Sequence, residues 1–194
     1  MKEREEFLQT QPEVDIGRVF FIDEAGCHPG IGPRRGWARV GQRLYAPEEP
    51  YSRGKHVSMI GALTLDGIAT YMTVDGGVKG KDFQRFVKQR LVPRLRPGDL
   101  VCWDNINMHK SKVVLEAVEA TGASVVCLPR YSPDLNPIEA AWAKIKSIIR
   151  KAMPTTVSDL KAAMRRAFRK VSGSDARGWI KYCGYALPAN RSPH

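Results

Sequence analysis

The sequence predicts an α/β domain in which helices flank a central mixed sheet of five strands. Two features indicate this architecture. Short segments that are apolar almost throughout alternate with longer segments whose apolar residues recur at helical spacing. One pair of strand-like segments is joined at Asp66-Gly67, a dipeptide typical of hairpin turns. Because strands that are apolar throughout must be covered on both faces, we expect helices on both sides of the sheet.

The predicted elements follow in chain order. Residues 1–15 form a polar, acidic lead-in with room for a short helix, and residues 26–54, rich in Gly and Pro, form a loop or hairpin. Strands are predicted at 18–23, at two places between 56 and 77, at 100–104 and at 123–129. Helices are predicted at 80–95, 111–121, 137–151 and 157–171, and the tail after Gly173 has no clear pattern.

Basic residues concentrate at one end of the chain. The formal net charge is +11, from 31 basic and 20 acidic residues. Residues 1–140 carry 19 Lys and Arg against 18 Asp and Glu, whereas residues 141–194 carry 12 against 2. Such asymmetry favours a polyanionic partner, most simply nucleic acid, over a merely solvated basic helix surface.

Other features of the composition narrow the class of protein. No apolar run approaches the ~18 residues that a membrane span needs, and the charged opening is not a secretory signal. The four cysteines lie far apart, without a C-x-x-C pair. We therefore expect a cytoplasmic protein without a zinc site.

Two apolar strands end in an aspartate. VFFID and LVCWD place Asp23 and Asp104 directly after four largely apolar residues. Burying an unpaired carboxylate is costly, so we expect both side chains at the rim of the sheet. If the strands are neighbours, the carboxylates repel each other and a divalent cation relieves the repulsion. The alternative for each is an Asx turn or a helix cap.

A third acid, Glu139, begins a helix. Asn136-Pro137-Ile138-Glu139 has the pattern of an N-cap, a proline at the first helical position and an acid at the third. Glu139 shares an exposed stripe with Lys146 and Arg150, which suits either a metal site flanked by DNA phosphates or plain intrahelical ion pairs. The local alternative is a capping-box glutamate that reaches back to the Asn136 backbone. The inward stripe comprises Ile138, Trp142, Ile145 and Ile149.

Four segments together resemble a known family. FIDEAGCHPG (21–30), GWARVGQR (36–43), CWDNINMHKS (102–111) and LPRYSPDLNPIEAAW (128–142) are similar to the signature blocks of the DDE transposase domain of the mariner superfamily, in its insertion-sequence 630 branch. The resemblance runs from about 18 to 152, and 34 residues separate Asp104 from Glu139, a spacing typical of that branch. The last block is the most specific.

The resemblance implies an RNase H-like fold in which Asp23, Asp104 and Glu139 are the three catalytic, metal-binding acids. Asn105 and His109 match the family's D-N-x-x-x-H pattern and would lie beside the site, although a lone His109 also suits a surface position. The implied domain organisation is a lead-in at 1–17, a catalytic core at 18–152 and a basic helical extension of the same domain at 153–194. The family's end-recognising helix-turn-helix region does not match here, so we expect a fragment or the second reading frame of a split gene.

The implied chemistry is two-metal phosphoryl transfer. Two Mg²⁺ ions, for which Mn²⁺ substitutes, would be held by the three acids and would support strand cleavage at transposon ends and strand transfer into target DNA. The expected partner is double-stranded DNA, bound by a homodimer that holds two ends in a bacterial, nucleoid-associated setting. Two other functions stay open: a nuclease of the same fold without strand transfer, and a catalytically silent DNA-binding or dimerisation module.

Two groups of side chains are expected to contact DNA. A loop offers guanidinium groups for phosphates and an indole for stacking on an unpaired base. Its alternative is an ordinary packed loop in which Trp37 covers the core. The basic end of the 137–151 helix offers further backbone contacts. The candidates are Arg34, Arg35, Trp37, Arg39, Arg43, Lys146, Arg150 and Lys151.

Overall fold

The computed structural model describes residues 2–11, 14–32, 36–43, 55–104 and 111–188. Five strands form one sheet in the order β3-β2-β1-β4-β5. Their bounds are β1 Val19–Cys27, β2 Val57–Thr64, β3 Gly67–Asp75, β4 Leu100–Trp103 and β5 Ser124–Cys127. The predicted sheet of five strands is confirmed.

The sheet is mixed because its central strand, β1, has neighbours in both directions. β1 pairs antiparallel with β2 and parallel with β4, which in turn pairs parallel with β5. β2 and β3 form the predicted hairpin, in which Leu65 and Asp66 separate the strands and Gly67 follows with a φ of 108° that favours glycine. The parallel pairs need crossovers, and helices supply them between β3 and β4 and between β4 and β5.

Six α-helices surround the sheet in the described part of the chain. Their bounds are α1 Lys2–Thr10, α2 Gly80–Phe86, α3 Lys112–Glu119, α4 Ile138–Ala152, α5 Val157–Phe168 and α6 Gly173–Tyr182. α2 continues through a π-helical turn at Val87–Leu91 and a 3-10 turn at Val92–Arg94, which together fill the predicted 80–95 helix. α6 lies in the tail for which no element was predicted, and a capping box between Ser172 and Asp175 starts it.

Alternate residues of β1 point to two separate apolar clusters. Phe21 and Ala25 face the cluster that contains α4, α5 and α6. Ile22 faces the other cluster, which includes Phe83 of α2 and Val118 of α3. This alternation follows from the two-residue period of a strand. Helices therefore cover both faces of the sheet, as predicted.

The inward stripe of α4 is buried as its spacing predicts. Four residues at intervals of four, three and four are between 0% and 2% exposed: Ile138, Trp142, Ile145 and Ile149. This stripe packs α4 on the sheet face toward which odd-numbered residues of β1 point. The packing fixes the start of α4, and hence Glu139, relative to β1.

The predicted lead-in contacts the rest of the chain. The Gln11 side-chain amide donates to the Cys183 carbonyl at 2.9 Å, Ile16 is buried in the core, and the Arg4 guanidinium pairs with Asp134 at 2.5 Å. The boundaries at 17 and 152 stay predictions. Across the described residues, no helix has both the length and the apolar character for a membrane span.

Candidate active site

One pocket, which we call the acid pocket, is lined by all three acids that the sequence singled out. It has a volume of about 490 Å³. Asp23 comes from β1, Asp104 directly follows β4, and Glu139 lies in the first turn of α4. The remaining lining residues belong to the loop between β5 and α4: 128–133 and Asn136. Side chains that are distant along the chain thus meet at one end of two parallel, neighbouring strands.

The prediction that Asp23 ends its strand is wrong. β1 continues four residues beyond it to Cys27, and Asp23 pairs with Gly61 of β2. The reason is that β2 accompanies β1 past the point where β4 stops, since β1 pairs with β4 only over Val19–Phe21. Asp23 therefore lies on an overhang of β1, still open on the β4 side. Asp104 does follow the last residue of its strand, as predicted.

The Trp142 side chain hydrogen-bonds to Asp23 on the α4 side of the sheet. The indole Nε1 donates to Asp23 Oδ2 at 2.9 Å. The indole has room because the residue opposite Asp23 is Gly61, where an added Cβ would come within 2.8 Å of Trp142 Cη2. A buried indole N–H needs an acceptor, and the carboxylate supplies it. The catalytic candidate is thus positioned by a residue that also packs in the core.

The pKa of Asp23 is raised to about 7. Burial is the largest cause, and the negative charges of Glu139 and Glu24 also raise it, whereas hydrogen bonds from the Glu24 backbone and from Trp142 lower it. A carboxylate that is desolvated near other carboxylates favours a bound cation or a proton. The donor set is all oxygen, which is the set that Mg²⁺ and Mn²⁺ take.

Glu139 is not a capping residue. The Asn136 N–H, which a capping-box glutamate would accept, instead donates to the Pro133 carbonyl at 3.0 Å. No side-chain hydrogen bond caps the start of α4. The Glu139 side chain is exposed and lines the acid pocket. The local alternative for this residue is therefore excluded.

The loop between β5 and α4 forms the outer wall of the acid pocket. The Tyr185 hydroxyl donates to the Leu135 carbonyl at 2.9 Å, and the Leu128 N–H donates to the Trp103 carbonyl at 2.8 Å, which ties both ends of the loop to the core. Tyr131 projects from its middle, 98% exposed, with a φ of 57° that is rare outside glycine. An exposed aromatic ring in a strained conformation at a pocket mouth is typical of a ligand contact.

The positions of Trp142 and Tyr131 at the acid pocket were not predicted from the sequence. Trp142 was counted only as core, although a tryptophan one helical turn after Glu139 needs a partner for its N–H when it is buried. The positive φ of Tyr131 has no local signature in the sequence. Arg130, a basic side chain that lines the acid pocket, was not predicted as a site residue either.

The other predicted site residues lie elsewhere or are not described. Asn105, His109, Arg34 and Arg35 fall outside the described residues. Trp37 is 98% exposed, so the alternative in which it covers the core is wrong. The remaining candidates are exposed or half-buried: Arg39, Arg43, Lys146, Arg150 and Lys151.

Lys146 and Arg150 lie near the end of β1. Their positive charges lower the pKa of Cys27, although burial, the largest influence, raises it overall. Cys27 is the last residue of β1, four residues beyond Asp23. The basic stripe of α4 therefore runs from the acid pocket along the overhang of β1.

The three acids line the pocket, but their side chains do not converge on one point. Within the ranges that the structure describes, no three His, Cys, Asp or Glu side chains converge as a ready set of metal ligands. The arrangement is an open, acidic pocket on a mixed sheet, with basic side chains along one margin.

The chain belongs to the DDE superfamily endonuclease family, whose model matches residues 18–161. The match extends nine residues beyond the predicted core, to Lys161 in α5. The predicted resemblance to DDE domains is confirmed. No curated protein sequence matches the chain.

Solved structures with a similar fold include those of the Mos1 mariner transposase. The Mos1 strand transfer complex matches with a TM-score of 0.74 at 18% identity, over 94% of this chain and 56% of that chain. The Mos1 mariner paired end complex with Mn matches with a TM-score of 0.72 at 17% identity, over 94% and 57%. The Mos1 catalytic domain with Raltegravir and Mg matches with a TM-score of 0.65 at 15% identity, over 94% and 86%.

These structures establish the fold as that of the RNase H-like catalytic domain of mariner-type transposases. The chain spans little more than half of the longer Mos1 chains that it matches. The predicted fold class is confirmed in full, and the assignment to the insertion-sequence 630 branch stays a prediction.

Proposed function

We propose that this chain is a transposase catalytic domain that cleaves DNA strands at transposon ends and transfers them into target DNA. One observation carries the proposal: Asp23, Asp104 and Glu139 line one pocket at the end of the central strands of a DDE-family fold. Each acid comes from a different segment, so their meeting is a property of the fold and not of local sequence.

The three acids would hold the divalent metal. Their oxygen donors suit Mg²⁺, for which Mn²⁺ would substitute, and the raised pKa of Asp23 indicates a carboxylate without a compensating charge. Held by these acids, such ions would supply activation of the attacking hydroxyl and stabilisation of the leaving oxygen in phosphoryl transfer. Asn105 and His109, which belong to the same motif as Asp104, are proposed to support the site.

The chain's own residues supply orientation and DNA contacts. The hydrogen bond from Trp142 holds the Asp23 side chain in one rotamer, so the carboxylate does not need to reorient when a metal ion binds. At the pocket mouth, Arg130 can pair with a phosphate and Tyr131 can stack on a base near the cut. The α4 stripe that ends in Arg150 and Lys151 extends the phosphate contacts away from the acids.

The proposed partner is duplex DNA. Similar structures include a paired-end complex with a left transposon end and a strand transfer complex. By analogy, we propose that two copies of this chain hold two ends, in a bacterial cell at the nucleoid. The further DNA contacts proposed are those of the loop residues Arg34, Arg35, Trp37, Arg39 and Arg43, together with Lys146.

Plasmid nicking tests the proposal. We expect the wild type to nick supercoiled plasmid with Mg²⁺ or Mn²⁺, and Asp104→Ala and Glu139→Gln to lose at least 100-fold in rate while retaining DNA binding. Glu119→Gln, which changes an exposed helical glutamate outside the acid pocket, is the matched control and should keep full activity. Equal activity in Glu139→Gln and Glu119→Gln would overturn the role of the acid pocket.

A pre-cut transposon end separates the enzyme classes. Joining of its 3′-hydroxyl to a second duplex supports a transposase. Cleavage without joining would instead indicate a nuclease of the same fold. DNA binding without metal-dependent cleavage would indicate a catalytically silent module.

A further inference from the structure

A second concave surface, which we call the edge groove, runs along the outer edge of the sheet. It has a volume of about 510 Å³, and residues Ile68–Thr73 of β3 form its floor. β3 is the last strand on this side of the sheet, so its outward backbone groups have no strand partner among the described residues. The acid pocket lies on other strands, β1 and β4.

Five basic side chains come from both walls of the edge groove. One wall is α5 with its C-cap residue, which contribute Lys161, Arg165 and Arg169 at successive four-residue steps. The other wall is the continuation of α2, which contributes Arg90 and Arg94, again four residues apart. The two helical stripes face each other across β3, one from each face of the sheet.

Two of these cations have internal roles. Lys161 Nζ pairs with Asp75 Oδ1 at 2.7 Å, and Arg94 donates to the backbone carbonyls of Ala69 and Arg90 at 2.9 and 3.1 Å. Arg90, Arg165 and Arg169 are exposed. Counting Asp75, the groove and its margin carry four net positive charges.

An aromatic stack joins the floor of the edge groove to α5. Tyr71 of β3 and Phe168 of α5 stack with ring centroids 3.7 Å apart and planes 10° from parallel. This stack ties α5 to the edge strand, so the guanidinium groups of α5 are carried by a packed helix. A preorganised row of cations loses less conformational entropy on binding than the same charges on a loop.

A protective role for the charges explains the edge groove less well. Edge strands often avoid pairing with other chains by carrying charges on the strand itself. Here the floor residues Ile68–Thr73 are uncharged, and the cations come from flanking helices. Converging guanidinium groups over an open concave surface suit a row of phosphates, which accept such groups in pairs.

We propose that the edge groove binds the sugar–phosphate backbone of duplex DNA, as a site separate from the acid pocket. The inference rests on the proposed function for the identity of the polyanion. β3 lies two strand spacings from β1, roughly 10 Å. Because the edge groove and the acid pocket share no lining residue, DNA in the edge groove is held through phosphates other than the one that is cut, and the site anchors DNA without taking part in the chemistry.

Salt-dependent DNA binding tests this site. The triple variant Arg90→Gln, Arg165→Gln, Arg169→Gln removes the three exposed cations, and anisotropy with a labelled 30-base-pair duplex measures affinity at several salt concentrations. We expect the slope of log affinity against log salt to fall by about 0.9 per lost phosphate contact, or roughly 2–3 in total. Far-UV circular dichroism checks that the variant is folded.

A second triple variant controls for charge. Lys88→Gln, Lys170→Gln, Lys181→Gln removes three exposed cations that do not line the edge groove. We expect it to leave most of the slope intact. Equal salt slopes for the two triple variants would overturn the site. So would polyglutamate binding that depends on Arg90, Arg165 and Arg169, if the first triple variant binds DNA as tightly as the wild type.

The two proposals can fail separately. Binding is measured in an Asp104→Ala background, where cleavage is not needed for the signal. If the first triple variant lowers the salt slope in this background and the wild type does not nick plasmid, the edge groove is kept and the catalytic proposal is rejected. Normal nicking by the wild type, together with a salt slope that the first triple variant leaves unchanged, would keep the catalytic proposal and reject the edge groove.

Discussion

Trp142 Nε1 donates a hydrogen bond to Asp23 Oδ2 at 2.9 Å, across 119 residues of sequence. The same indole packs over Gly61, the strand partner of Asp23. The hydrophobic core and the acid pocket therefore share a residue: the packing of α4 sets the direction of the first acid. This relationship makes the proposed chemistry sensitive to changes that touch neither DNA nor metal.

Replacing Trp142 with Phe should separate packing from positioning. Phe keeps an aromatic ring and loses the N–H, so we expect about a tenfold slower nicking rate, equivalent to ~1.4 kcal/mol, and a higher Mg²⁺ midpoint. Trp179→Phe removes an indole of α6 that does not line the acid pocket and serves as the control. If both variants keep the wild-type midpoint, Trp142 is only a packing residue.

A methyl group at Gly61 should disturb the same contact from below. The added Cβ would lie 2.8 Å from Trp142 Cη2, so we expect Gly61→Ala to lower the free energy of unfolding by about 1–3 kcal/mol and to reduce nicking. Gly26→Ala is the matched control, because nothing lies within 4 Å of a Cβ at that position of β1. Chemical denaturation measures both, and similar values would contradict the close packing.

Tyr131 offers a test of strain and contact at one residue. With φ at 57°, glycine fits the backbone better than alanine, so Tyr131→Gly should exceed Tyr131→Ala in stability by about 0.5–1 kcal/mol. Because the ring is 98% exposed, neither variant loses core packing. Both should bind a frayed DNA end more weakly, whereas Tyr131→Phe should bind it normally. Unchanged binding in all three would exclude a stacking role.

Stability at low pH should depend on Asp175. Hydrogen bonds from Lys144 and Ser172 lower the pKa of this carboxyl to about 2. A lowered folded-state pKa adds stability above the unfolded value of about 4, and that stability is lost as the pH falls toward 2. We expect Asp175→Asn to be less stable than the wild type by about 0.5–1 kcal/mol at pH 6, with the gap closing between pH 4 and 2.

Thermal unfolding at several pH values measures the effect of Asp175. The control is Asp66→Asn. Asp66 likewise forms an ion pair, with Arg177 of α6, but its side chain is 89% exposed. Its difference from the wild type should stay small throughout. A gap for Asp175→Asn that does not change between pH 6 and 2 would contradict the assignment.

The sheet and the helices α1 to α5 could be predicted from the sequence because each has a local signal, and the three acids that line the acid pocket could be singled out from a motif. The apolar stripe of α4 follows from its spacing, and Asp104 follows from the end of a short strand. The overhang of β1 did not follow, since its length is set by pairing with a distant partner, β2. The edge groove also escaped prediction because its two basic stripes come from separate helices.

The overhang also makes the acid pocket sensitive to the register in which β1 pairs with β2. A strand turns its side chains over at every residue, so sliding β1 by one position against β2 would point Glu24 toward α4 and send Asp23 to the opposite layer. A one-residue insertion in β1 before Asp23 is therefore expected to carry the carboxylate to the wrong side of the sheet, together with the apolar residues that β1 divides between the two core clusters.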